Sequence, residues 1–164
     1  MSDYYTKNYD MPFGRLYTAF QEERIFAISF SPLREEYLNS LQKKQRRDLF
    51  SPDISHFDEE LERFCRGEVP NFRSGIRLFG SNFEHAVWEA CMHIPHGKTC
   101  SYGELALTLG NKGSARAVGN ALAANPVPLI VPCHRVIRND GCIGGFGGGQ
   151  SLKEQLLTIE KGET

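Results

Sequence analysis

Three prolines within seven residues, Pro126, Pro128 and Pro132, decide what residues 125–135 can become. Each locks its own φ, removes an amide donor and drives the residue before it out of the helical region. Helix is therefore excluded for Asn125-Pro126-Val127-Pro128-Leu129-Ile130-Val131-Pro132-Cys133-His134-Arg135. The run is apolar and β-branched, and it delivers a cysteine followed directly by a histidine and an arginine. A thiol in so stiff a frame is placed rather than merely packed. The alternative is a buried structural cysteine, the usual fate of a free thiol.

The chain of 164 residues is long enough to bury a real core, as one large domain or two small ones. Apolar content of 40% and charged content of 24% describe a soluble globular protein. No stretch approaches the roughly 18 apolar residues that span a bilayer. Met1-Ser2-Asp3-Tyr4-Tyr5 lacks the basic start and apolar core of a signal peptide, so the expected location is a reducing cytoplasm or nucleoid. Five scattered cysteines suit free thiols better than a disulfide framework. Net charge is −1, yet Lys98, Lys112, Arg116, Arg135 and Arg138 face only Glu104 between positions 98 and 138. A local excess of that kind predicts weak, salt-sensitive contact with nucleic acid. The run Lys43-Lys44-Gln45-Arg46-Arg47 reads as a solvated helix face.

Period-two apolar residues on either side of Gln21-Glu22-Glu23 predict a hairpin over 14–30. Helices are expected over about Pro32–Gln45 and Ser55–Arg66, then a short strand at Gly75–Phe79. Beyond Gly80, three Ser-x-x-Glu capping boxes start at Ser81, Ser101 and Ser151. They predict helices over Asn82–His93 and Tyr102–Leu109 and another near the C-terminus. A further helix runs from after Ser114 to Ala124, stopped by Asn125-Pro126. The pair joined by Gly110-Asn111-Lys112-Gly113 makes a helix-turn-helix. Its second helix is nearly bare, with Ala115, Ala117, Gly119, Ala121, Ala123 and Ala124 around a single charge, Arg116. Two readings stand: a helix built to approach a sugar-phosphate wall with one arginine entering the duplex, or a tightly packed internal helix with Arg116 reaching solvent.

Cys133 is the candidate nucleophile, and a thiol needs a base or a nearby cation to ionise. His134 is adjacent, but neighbours in a strand point to opposite faces, so the strand must end at Cys133 or a water must bridge the pair. Glu160 lies four residues after Leu156 in a terminal helix with Leu152 and Ile159 inward, which turns it toward the core; the alternative is an ordinary surface glutamate at a fraying helix end. Val136–Ile143 reads as a hairpin about Asn139-Asp140-Gly141, across which Arg135 and Asp140 can pair. Five glycines in Gly144-Gly145-Phe146-Gly147-Gly148-Gly149 lack the spacing of a phosphate loop and suit a backbone wall against a flat ligand. Cys91, His93, His96 and Cys100 match no common zinc spacing, and no metal is expected.

Pro132-Cys133-His134-Arg135-Val136, preceded by Asn125-Pro126 and by Arg116-Ala117-Val118-Gly119, resembles the O6-alkylguanine-DNA alkyltransferases, or methylated-DNA–protein-cysteine methyltransferases. The resemblance is strong over about residues 80–161 and covers the first 75 only in general layout. It implies an α+β fold, with an N-terminal α/β unit of ribonuclease H-like layout over 1–79 and a mostly helical alkyltransferase domain over 80–164. It makes Cys133 the alkyl acceptor, His134 its base through a water, Glu160 the group that orients His134, and Asn125 a brace. Tyr102 would hold the flipped guanine and crowd its 3′ phosphate, and Arg116 would fill the gap left in the duplex. Val136 and the backbone near Gly147 would meet the base edge. Gly103, Asn111 and Asn139 would touch the DNA backbone. Many relatives carry serine where Gly147 stands.

The implied activity is direct, stoichiometric transfer from O6-alkylguanine in duplex DNA, approached from the minor groove, by a monomer without cofactor. O4-alkylthymine is left open as a second substrate. A modified base must leave the stack to be reached, and damaged pairs unstack cheaply. The rivals are a lesion sensor without transfer, disfavoured by a cysteine at 133; another helix-turn-helix DNA-binding protein, disfavoured by the bare helix; and a Cys/His hydrolase, which would turn over repeatedly.

Overall fold

Residues 4–49, 56–72, 75–110 and 114–163 are described by the computed structural model. The first half is built on a five-stranded sheet: β1 (Tyr4–Met11), β2 (Gly14–Gln21), β3 (Arg24–Ser29), β4 (Arg46–Leu49) and β5 (Ile76–Phe79), in the order β1-β2-β3-β5-β4. The first three form an antiparallel meander, β5 runs parallel to β3, and β4 closes the edge antiparallel to β5. Helix α1 (Glu35–Gln42) places Leu38 and Leu41 with Ala19, Phe26 and Phe79 on one face. Helix α2 (Phe57–Cys65) places Phe57, Leu61 and Phe64 with Leu16, Phe20 and Ile25 on the other. The expected hairpin is β2–β3, and its two turn residues Glu22 and Glu23 both take positive φ, which matches the strand twist. Fully buried Arg77 ties that turn to the edge strand, donating to Glu22 Oε2 at 2.7 Å and Asp48 Oδ1 at 2.9 Å.

Strands β1 and β4 were not anticipated. The expected helix over Pro32–Gln45 is shorter at both ends, and Arg46 and Arg47 lie in β4 rather than on a helix face. Ion pairs account for a strand of charges here: Asp48 holds Arg24, Arg46 and Arg77, and Arg47 pairs with Glu89 at 2.8 Å.

The second half is helical: α3 (Asn82–Met92), α4 (Tyr102–Thr108), α5 (Ala115–Ala123) and α6 (Gln150–Glu160), with two-residue strands β6 (Cys100–Ser101) and β7 (Val136–Ile137). The capping boxes at Ser81 and Ser101 both form, with each Glu returning a bond to the cap amide. The third does not, because α6 begins at Gln150 after Gly149 at φ +91°, which puts Ser151 inside the helix. Gly110, at φ +73°, closes α4. Helices α4 and α5 pack as a pair on α3, where Trp88 Nε1 donates to Ala121 O at 2.8 Å. The turn that joins them, with Asn111, lies outside the described residues. The expected hairpin over 136–143 is only a tight turn: β7 pairs instead with β6, in parallel. One hydrophobic cluster runs through both halves, from Leu16 and Phe64 to Trp88, Val118 and Leu156.

Candidate active site

The proline-rich segment does not extend into a strand ending at the thiol. It folds back on itself: Val131 N bonds to Val127 O at 3.0 Å, Leu129 sits at φ +78°, and Cys133 opens a single 3-10 turn over Cys133–Arg135. Asn125 holds the fold from inside. Its Nδ2 donates to Val131 O at 2.9 Å and to Cys133 Sγ at 3.2 Å, while its Oδ1 accepts from Val127 N at 3.0 Å. The segment is also stitched to the first half, since Ile28 N donates to Pro126 O at 2.7 Å.

Burial pushes the Cys133 thiol above its ordinary value, against the pull of the Asn125 amide, the Lys153 charge and the backbone amides of Cys133 and His134. A thiol so placed is protonated at neutral pH and needs a base. His134, fully buried, stands next to it with Nε2 2.7 Å from Glu160 Oε1. Burial holds the imidazole below its ordinary value, and Glu160 only partly offsets this. Glu160 itself titrates at about 2: burial raises it, and bonds to His134 and Arg135 more than reverse that. A carboxylate accepts, so the His134 proton is assigned to Nε2, and Nδ1, which has no hydrogen-bond partner among the described residues, is left basic. Arg135 locks the acid, with Nη2 at 2.8 Å from Oε1 and Nε at 3.0 Å from Oε2, and its Nη1 donates to Ile94 O at 2.7 Å. Gly97 N donates to Oε2 at 3.1 Å. Phe64 of α2 meets the His134 ring edge-on.

Cys133 opens into a cleft of about 820 Å³ whose walls come from both halves of the chain. Phe30, Leu33 and Arg34 stand on one side and Tyr102, Asn125 and Gly147 on the other. Phe146, in the glycine-rich loop, lies against Phe30 with ring centroids 5.5 Å apart. The Tyr102 ring is flanked by Gly119 and Gly144, and it also borders a shallow groove of about 340 Å³ with Arg138 and Asn139. Burial holds the Tyr102 hydroxyl above its ordinary value.

Residues 82–162 match the family model described as 6-O-methylguanine DNA methyltransferase, DNA binding domain. A methylated-DNA–protein-cysteine methyltransferase of Haemophilus influenzae is 37% identical over 159 residues, which cover 96% of this chain and 86% of that protein. The chain belongs to the methylated-DNA–protein-cysteine methyltransferase family. The crystal structure of Mycobacterium tuberculosis O6-methylguanine methyltransferase superposes with a TM-score of 0.81 at 34% identity, covering 98% of this chain and 94% of that one. A DNA complex of the same bacterium's OGT gives 0.79 at 35% identity, covering 96% and 93%.

Seen within this family of methyltransferases, the predicted residues fall into three places. Cys133, His134, Glu160 and Asn125 converge on one hydrogen-bonded unit. Tyr102 and Gly147 line the cleft; Val136 does not, being buried in β7 with its carbonyl bonded to Lys153 Nζ at 2.6 Å. Arg116 is exposed on α5, and Gly103 N donates to Asn139 Oδ1 at 3.4 Å beside the shallow groove. The expected Arg135–Asp140 pair does not form, because Glu160 engages Arg135 while Asp140 Oδ1 accepts from Cys142 N. Lys153 escaped notice: it is fully buried, bonded also to Gly145 O at 3.2 Å, and influences the thiol. Its position three residues before Leu156, on the inward stripe, was the available signal. Cys91 is buried in α3, His93 Nδ1 meets Glu89 O, and His96 lies against Arg135 and Glu160. Among the described residues no three His, Cys, Asp or Glu side chains group closely enough to hold a metal.

Proposed function

We propose that this protein repairs duplex DNA by taking the alkyl group of an everted O6-alkylguanine onto Cys133, once per molecule. The observation that carries this reading is the thiol held by Asn125 in an open cleft, next to a buried histidine whose Nε2 meets Glu160 and whose Nδ1 has no partner among the described residues. His134 Nδ1 removes the thiol proton through a water, and Glu160 steadies the imidazolium. The thiolate attacks the alkyl carbon on the side away from O6; the C–S bond forms as the C–O6 bond breaks. Tyr102, kept protonated by burial, supplies a proton to the departing guanine. The product thioether offers no carbonyl to water, so the thiol is not restored.

The shallow groove supports a path for the DNA backbone. Tyr102, Arg138 and Asn139 line it with Ala115 and Gly119, Gly103 N bonds to Asn139 beside it, and the bare surface of α5 lets a sugar-phosphate wall come close. Arg116, exposed and without an ion pair, is suited to enter the duplex from the minor groove where the base has left. The protein acts as a monomer in the cytoplasm, needs no cofactor, and no described helix is long and apolar enough to cross a membrane.

The deciding experiment mixes the protein with an excess of duplex carrying O6-methylguanine labelled in the methyl group. Label on the peptide containing position 133, at one equivalent per protein, is the expected result. Free methanol, repeated turnover, or binding without label on the protein would overturn it.

A further inference from the structure

The arginines of the described chain are nearly all neutralised. Arg15, Arg24, Arg46, Arg47, Arg63, Arg66, Arg77, Arg135 and Arg138 each pair with a carboxylate. Two do not: Arg116, at the DNA-facing helix, and Arg34, which lines the cleft around Cys133. Among the described residues no acidic side chain lines that cleft, and the acids of the first turn of α1, Glu35 and Glu36, are not part of its wall. The same wall carries the hydroxyls of Ser29 and Ser31, 3.3 Å from each other, beside apolar Phe30 and Leu33. The cleft is also larger than a methylated base requires, at a volume that elsewhere encloses whole drug-sized ligands.

We infer that Arg34 is a specificity-determining residue that favours O6-alkylguanines whose alkyl group ends in a carboxylate, of which O6-carboxymethylguanine is the simplest. This rests on alkyl transfer to Cys133. The chemistry is unchanged: sulfur attacks the methylene carbon, the C–O6 bond breaks, the guanine takes up a proton, and Cys133 becomes S-carboxymethylcysteine. The anionic end of the group points toward the N-terminal wall, where Arg34 is the one lining cation among the described residues. The first half of the chain, joined to the reactive segment by the Ile28–Pro126 bond, thereby takes part in choosing the lesion.

The same arginine has a second conceivable anion, a DNA phosphate, and the test separates the two. Single-turnover transfer is measured for duplexes carrying O6-carboxymethylguanine and O6-carbamoylmethylguanine, which share a shape and differ in charge, in the natural protein and in Arg34→Gln and Arg34→Lys. O6-methylguanine serves as the control for transfer itself. The carboxymethyl-to-carbamoylmethyl rate ratio should fall about three- to fivefold in Arg34→Gln, the size of an exposed ion pair, and recover in Arg34→Lys. The salt dependence of DNA binding should not change. An unchanged ratio overturns the inference. So does an equal loss on both substrates with the salt slope reduced by about one, which would assign Arg34 to a phosphate. Failure of the O6-methylguanine control would instead overturn the transfer reading.

Discussion

Glu160 Oε1 accepts the His134 Nε2 proton at 2.7 Å, and both side chains are sealed from solvent. This single contact sets the direction in which protons leave the thiol. With Nε2 committed to the carboxylate, only Nδ1 can act as base, and it does so while the imidazole is neutral. Burial keeps the His134 pKa below the ordinary histidine value. Transfer should therefore be level through neutral pH and fall on the acid side, with a midpoint below about 6.5. Single-turnover rates against pH check this; a midpoint above that value would contradict the assignment.

Removing the carboxylate should be costly in two separable ways. In Glu160→Gln the imidazolium loses its counter-charge, and the transfer rate is expected to drop by about 10²-fold or more. Arg135 is at the same time left buried without its acid, which should lower stability by about 3–5 kcal/mol. Rapid-quench kinetics and urea unfolding of the same variant measure the two losses.

The Glu160 pKa also makes a statement about acid stability. Its folded value of about 2 lies below the unfolded reference of 4.5, so the unfolded chain binds the proton first as pH falls. The stabilisation is fully present above about pH 4.5 and is lost progressively down to about pH 2, and amounts to about 3 kcal/mol. Urea midpoints measured across that window should fall in the natural protein. The part of the slope due to this group should vanish in Glu160→Gln.

How far this could be read from the sequence depended on whether a feature is local. The β2–β3 hairpin and the caps at Ser81 and Ser101 are specified by neighbouring residues and were legible, whereas the fold-back of the proline-rich segment into a 3-10 turn at Cys133 was not. Strand β1 was not, because four of its eight residues in a row, Tyr5 to Asn8, are exposed and leave no alternation to see. Strand β4 opens with two arginines whose place depends on Asp48 and Glu89, contacts that no window along the chain reveals. Arg135 looked able to reach Asp140 across a short turn, but the 3-10 turn at Cys133 aims it at Glu160, twenty-five positions away. Lys153 was hidden by its type: a lysine on an inward stripe reads as a helix surface residue until the carbonyls of Val136 and Gly145 are seen to receive it.

Lys153 gives a prediction of its own. Replacing it with methionine keeps the volume but strands the buried Val136 carbonyl, releases that of Gly145 and withdraws a positive charge from the thiol. Stability should fall by about 1–3 kcal/mol. The Cys133 thiol should titrate higher than in the natural protein, because the Lys153 charge is one of the influences lowering it. Thermal unfolding and the pH dependence of thiol alkylation read these effects; an unchanged thiol titration would remove Lys153 from the site.

Adjacent glycines in the loop should behave in opposite ways. A side chain at Gly147 meets nothing within 4 Å, and the residue lines the cleft, so Gly147→Ser should fold as the natural protein does. Its hydroxyl would stand where many relatives present one, and transfer from O6-methylguanine should be at least as fast. At Gly148 an added Cβ would overlap Leu152 Cδ2 and lie 2.9 Å from the Phe30 ring. Leu152 can yield, but Phe30 is itself wedged against Phe146 and Phe13, so the loop must shift instead. Gly148→Ala should lose about 1–3 kcal/mol by overpacking. It should also slow transfer, because displacing this loop moves the wall that faces Cys133. Equal stability for the two variants would mean that Phe30 does not fix the loop as the contact distances require.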